Sequence, residues 1–142
     1  MFYSENPKKS YYCKKQCAPS YSECKLKNCD LSRILEDLKS NNLVYKHTRQ
    51  QTFNIIFSGK RIEKKIRWLG NIEELAHFIR TLIRHGCIRV KRHEIWLVTC
   101  NCFELADGRV LHNQSLKDAE KPTKAALIEQ LVSQRVRALT TQ

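Results

Sequence analysis

Residues 70–86 constrain this chain more than any other stretch. Gly70-Asn71 stands before a run in which Ile72, Leu75, Ala76, Ile79, Leu82 and Ile83 recur at helical spacing, and Gly86 follows. One apolar stripe at that period marks an amphipathic helix. Asn71 as N-cap with Glu74 three residues on makes a capping box. Glu73 and Glu74 suit the positive amino end of the helix, and Arg84 and His85 suit its carboxyl end. Gly86 supplies the left-handed stop.

The elements around it are read by the same periods. Asp30 is a candidate N-cap for a helix over 31–41, with Leu31, Ile34, Leu35 and Leu38 as its stripe and Asn41-Asn42 as its stop. Residues 43–48 and 51–58 read as strands, since Phe53, Ile55 and Phe57 alternate with Thr52, Asn54 and Ile56. Ser58-Gly59-Lys60 reads as a turn. A third strand over 61–69 has Ile62, Ile66 and Trp68 on one parity and Arg61, Lys65 and Arg67 on the other. After the central helix, residues 87–90 and 94–99 read as a β-hairpin with Lys91-Arg92-His93 at its tip. Ala106–Arg109 is a turn, residues 113–119 a short helix, and 122–138 a last helix with Pro122 in its first turn. The sum is an α+β chain: a small winged-helix-like domain over 30–142, with three to four helices and short antiparallel strands, preceded by an arm over 1–29. A helix followed by a basic hairpin is the layout of a helix and its wing.

Charge gives that layout a partner. The 142 residues carry 26 Lys and Arg against 14 Asp and Glu, a net charge of +12, and the pI is near 9.6. Three quarters of the excess precedes residue 71: +4 over 1–29 and +5 over 30–70, against +1 over 71–110 and +2 over 111–142. Such asymmetry points to an anionic partner, nucleic acid first and double-stranded DNA foremost. Lys60, Arg61, Lys64, Lys65 and Arg67, with Arg89, Lys91 and Arg92, are the candidate phosphate contacts, which position a protein without reading sequence. Tyr3, Tyr11, Tyr12 and Tyr21 sit among the lysines of the arm, where rings either stack on bases or pack the arm onto the domain. The longest apolar run, Ile95 to Val98, is four residues, too short for a membrane span. With no apolar leader in the first twenty residues, a soluble cytoplasmic protein is expected. A homodimer is compatible with all of this.

Seven cysteines form the second peculiarity. Cys13, Cys17, Cys24 and Cys29 crowd the arm, and Cys87, Cys100 and Cys102 follow later. In a reducing compartment disulfides are disfavoured, and four thiolates within 17 residues are a candidate zinc set. Lysines 14, 15, 25 and 27 would favour those thiolates. The C-x3-C-x6-C-x4-C spacing lacks the two-residue knuckles of most structural zinc sites, so free or singly buried thiols are the competing reading. Zinc leaves a second function open: a protein–protein adaptor with a metal-bearing arm. Cys100 and Cys102 would share one face of a strand.

No catalytic constellation is present: no G-x-S-x-G, no H-E-x-x-H and no phosphate-binding loop. Nothing in the pattern orients any of the five histidines beside a cysteine. His77 reads as a solvated helix residue and His93 as a turn residue. The expectation is a non-enzymatic protein.

Trp68-Leu69-Gly70-Asn71, then Glu74-Leu75, Ile79, Leu82, Gly86 and Ile88, form an apolar-Trp-x-Gly-Asn entry, an acidic-Leu helix and an exit glycine. With Trp96, Phe103, Asp107-Gly108, Leu116 and the terminal amphipathic helix, this resembles RteC-like regulators and related proteins of Bacteroides-type mobile elements over residues 60–140. The resemblance implies a winged-helix-like fold, DNA binding and a part in transcription regulation. It carries over no base-reading residue, because the matched positions are structural, and the Cys-rich arm departs from the pattern.

Overall fold

A computed structural model describes residues 20–21 and 24–140, the last six by their backbone alone. Among the described residues six helices and two short strands follow one another: α1 Asn28–Ser40, α2 Gln50–Ile55, β1 Ile66–Trp68, α3 Ile72–Arg84, α4 Ile95–Cys102, β2 Phe103–Leu105, α5 Asn113–Lys117 and α6 Ala125–Thr140. The class is mixed and helix-rich.

The two long helices expected from periodicity form as their caps dictate. In α3 the Glu74 amide donates to the Asn71 side chain at 2.7 Å, and the Glu74 carboxylate accepts the Asn71 amide at 2.8 Å. Gly86 then turns left-handed at φ 74°. The Cys87 amide reaches back to the Leu82 carbonyl and the Gly86 amide to that of Ile83, which satisfies the last carbonyls. α1 ends the same way on Asn42, at φ 58°, with Leu43 bonded to Leu38. Its start lies earlier than expected. Asp30 sits one turn inside, its carboxylate accepting the Lys27 amide at 3.1 Å.

Four expected strands are replaced. Residues 50–55 are helical, because Phe53, Ile56 and Phe57 are the buried residues, at i, i+3 and i+4, and Ile55 is 41% exposed. The segment 43–48 contributes a single antiparallel bridge, Val44 to Trp68. The hairpin over 87–99 is absent, and Ile95–Cys102 is a helix that buries Val98, Thr99 and Cys102. Four consecutive apolar residues fit a strand or a helix equally well, and packing decides between them.

The sheet is also not antiparallel. β1 and β2 pair in parallel, with Ile66 opposite Phe103, Arg67 opposite Glu104 and Trp68 opposite Leu105. Parallel neighbours need a long crossover, here the stretch 69–102 that contains α3 and α4. As expected, β1 buries Ile66 and Trp68 and exposes Arg67. Trp68 stacks on Phe78 of α3 at 5.8 Å, meets Phe103 edge-on at 5.9 Å and donates its indole N–H to the Asn71 carbonyl. Gly70 is needed beside it. A β-carbon there would collide with the Glu74 carboxylate and lie 2.9 Å from both Leu43 and the Trp68 indole nitrogen.

The described residues before α1 pack onto this core. Tyr21 is fully buried, its amide bonded to the Ile56 carbonyl and its own carbonyl to Gly59. Its hydroxyl meets the Thr99 hydroxyl of α4 at 2.5 Å, and burial pushes the phenol well above its ordinary range, so it stays neutral. Lys25 bonds to Cys87 past the end of α3, and Leu26 is buried. Tyr3, Tyr11 and Tyr12 lie outside the described residues. The last helix begins at Ala125 rather than at Pro122, whose carbonyl accepts the Ala125 amide.

Candidate nucleic-acid interface

The eight cations expected to meet phosphate fall into two loops and one strand. Between α2 and β1, Lys60, Arg61 and Lys64 are exposed and Lys65 is half-buried, with Glu63 the lone acid among them. The half-buried Ile62 packs on the core and anchors this loop. The positive φ of Gly59 and a turn at Ser58, whose hydroxyl accepts the Lys60 amide at 3.1 Å, fix its entry. Between α3 and α4, Arg89, Lys91 and Arg92 are exposed. Here a tight turn, from the Glu94 amide to the Lys91 carbonyl, replaces the expected hairpin tip.

Arg67 behaves differently. Its guanidinium pairs with Glu104 across the parallel register, at 3.2 and 3.3 Å. Much of its charge is met within the sheet, so it is a weaker candidate for a phosphate contact than its neighbours.

The two loops bracket α4. Lys65 acts electrostatically on the thiols of Cys100 and Cys102 at the carboxyl end of that helix. Arg92 lines a cleft with Ile95 and Trp96 at its amino end. The helix itself is eight residues, about 12 Å, long.

The cleft beside Arg92 holds residues that sequence reasoning did not assign to a site. It has a volume of about 870 Å³ between α3, the start of α4 and α5. Arg80, Arg84, Arg92 and Lys117 supply its cations, Trp96 its aromatic wall, and no lining side chain among the described residues is acidic. Arg80 is fully committed. It donates to the carbonyls of Leu116, Lys117 and Ala119 at the end of α5, at 2.8–3.3 Å, and its guanidinium lies 5.1 Å from the centre of the Trp96 ring. It thus ties α3 to α5 and sets the ring in place. The sequence signal was the four-residue spacing of Arg80 and Arg84, which puts them on one helix face. Glu73 and Glu74 sit in the first turn of α3 and the two arginines in its last two turns, so the acids do not border the cleft.

His77 is not solvated. It is buried on α3, with its Nε2 2.7 Å from a carboxylate oxygen of Glu129 on α6. That hydrogen bond is the main cause holding the Glu129 carboxyl below its usual range, with the nearby charges of Arg84 and Lys121 adding to it.

Of the candidate zinc ligands, Cys13 and Cys17 lie outside the described residues. Cys24 is half-buried and Cys29 exposed, and burial pushes the Cys24 thiol up. No cluster of three or more His, Cys, Asp or Glu side chains able to hold a metal occurs among the described residues. Cys100 and Cys102 do not share a face. On a helix two residues are about 200° apart, so Cys102 is buried while Cys100 is half-buried. Burial raises both thiols, and raises Cys87 to about 11. Thiols held protonated in this way are poor nucleophiles and poor ligands. No helix among the described residues is long and apolar enough to cross a membrane.

No protein-family model, no curated protein and no solved structure matches the chain.

Proposed function

We propose that this protein binds nucleic acid, as a DNA-binding regulator of the mobile-element kind it resembles, and that it acts without catalysing a reaction. The observation that supports this most is that two cationic loops meet the two ends of α4: 60–65 through the pairing of Ile66 with Phe103, and 89–92 directly ahead of Ile95. Separate clusters of exposed cations meet successive phosphates of one backbone and release its counterions. Contacts of this kind set affinity and orientation and leave the base sequence unread. In place of a wing, a turn ahead of α4 presents Lys91 and Arg92.

Anisotropy titration of labelled duplex DNA, single-stranded DNA and RNA over a range of salt tests the reading. Affinity is expected to fall linearly with salt on logarithmic axes. Neutralising Arg61, Lys64 and Lys65 together is expected to flatten the slope by about two to three. Arg67→Ala should flatten it less, because Glu104 already occupies that guanidinium. Binding that is absent, or indifferent to salt and to the triple variant, would overturn the proposal.

A further inference from the structure

The cleft between α3, α4 and α5 differs from the two loops in kind. A loop of exposed cations offers charge alone. The cleft adds concavity, an aromatic ring and side-chain amides, since Asn113 and Gln114 also line it. Its volume of about 870 Å³ falls within the size of pockets for small organic groups, about 300–1,000 Å³. It has room for a nucleotide.

We infer that this cleft takes an unpaired nucleotide of a single-stranded nucleic acid, with its base against Trp96 and its phosphates on Arg84, Arg92 and Lys117. The inference rests on the nucleic-acid reading above and narrows it to a strand with open bases.

Three observations carry it. First, Trp96 is half-buried and held by Arg80, which is itself fixed by three backbone carbonyls. The ring is therefore a rigid platform, and a base that stacks on it orders little else. Second, the exposed cations around the ring lie on three different elements: Arg84 ends α3, Arg92 precedes α4 and Lys117 ends α5. Cations on several sides of one aromatic suit a base whose phosphates leave in two directions. Third, Arg80, Arg84, Arg92 and Lys117 line the cleft, and no lining side chain among the described residues is acidic. The carboxylates of Glu94 and Asp118 approach two lining residues, His93 at 3.7 Å and Gln114 at 3.0 Å, and that of Glu129 bonds His77. Cations thus outnumber the acids beside them, a balance that suits a phosphodiester.

The test uses the full chain with oligothymidylate, oligouridylate and a duplex of equal charge. Tryptophan emission is followed together with anisotropy. Trp68 is fully buried and serves as the silent background. Oligothymidylate, oligouridylate or both are expected to quench the Trp96 emission, and the duplex is not. Trp96→Leu is expected to weaken binding of the quenching strand about tenfold while leaving the duplex unchanged. Lys117→Glu, an exposed change that leaves the core alone, should weaken the same strand selectively and serves if Trp96→Leu does not fold. Equal binding of strands and duplex, no quenching and no effect of either variant would overturn the cleft assignment and leave the broader reading standing. Failure of all three nucleic acids to bind at low salt would overturn both.

Discussion

α3 and α4 are consecutive helices in the chain, and they are helical for different reasons. α3 carries its instructions within itself: a reciprocal cap at Asn71 and Glu74, a single apolar face and a glycine stop. α4 has none of these. Glu94 precedes it without a side-chain cap, and its first four residues, Ile95 to Val98, are all apolar. What makes α4 a helix is what it meets. Thr99 donates to the Ile95 carbonyl one turn back and meets the buried hydroxyl of Tyr21, 78 residues earlier. One helix is local and the other depends on the tertiary fold, and the cleft that we assign to a nucleotide lies where the two meet.

The difference can be put under load. Phe78→Ala removes the α3 ring stacked on Trp68 and is expected to cost about 3–5 kcal/mol. Urea unfolding should show the whole domain weakened, with a single transition. Tyr21→Phe removes one hydroxyl, at a cost of about 1–2 kcal/mol. Its effect should be regional. Amide exchange in α4 is expected to quicken while that of α3 stays slow, and equal change in both would erase the distinction. Asn71→Ala should cost about 1 kcal/mol by thermal melting, since it removes one arm of the α3 cap. No single change near Glu94 should match it, because no side chain there caps α4.

The smallest effect is expected from the clasp that holds α3 to α6. The folded state keeps the Glu129 carboxyl below its ordinary range through its hydrogen bond with His77. The charged form is thus favoured by folding. Its contribution is complete above the ordinary carboxylate range and is lost as pH falls through the depressed folded value. Stability of the Glu129→Gln variant, followed by melting across acid pH, should lack that part of the acid slope and otherwise run parallel to the wild type.

How much was legible in the sequence follows the same division. α3, α1, the Asn42 and Gly86 stops and the exposed Arg67 on β1 were readable, because caps, left-handed turns and single-face periods act over a few residues. α2 was ambiguous in principle. Phe53, Ile55 and Phe57 obey a two-residue period, while Phe53, Ile56 and Phe57 obey a helical one, and only burial tells which triplet faces inward. The parallel pairing of Ile66 with Phe103 joins residues 37 apart and leaves no local mark. The candidate site divides likewise. The cationic loops show as charge runs. The cleft does not, because Trp96 and Lys117 reach Arg80 and Arg84 only once α4 and α5 have packed on α3. His77 was misread for the same reason, since its partner lies on α6.

The contact between Tyr21 and Thr99 also has a timetable. Chains grow at about 5–20 residues per second, so the 78 residues between them take roughly 4–16 s to synthesise at that pace. Throughout that interval Tyr21, on which the Phe57 ring later stacks at 5.9 Å, has no Thr99 to meet its hydroxyl. α3 completes during the same wait and offers its apolar face before β2 exists. The nascent protein therefore passes through a state with a finished helix and an open core. Ribosome-bound chaperones that recognise apolar segments would meet it there, before the last third of the chain has left the tunnel.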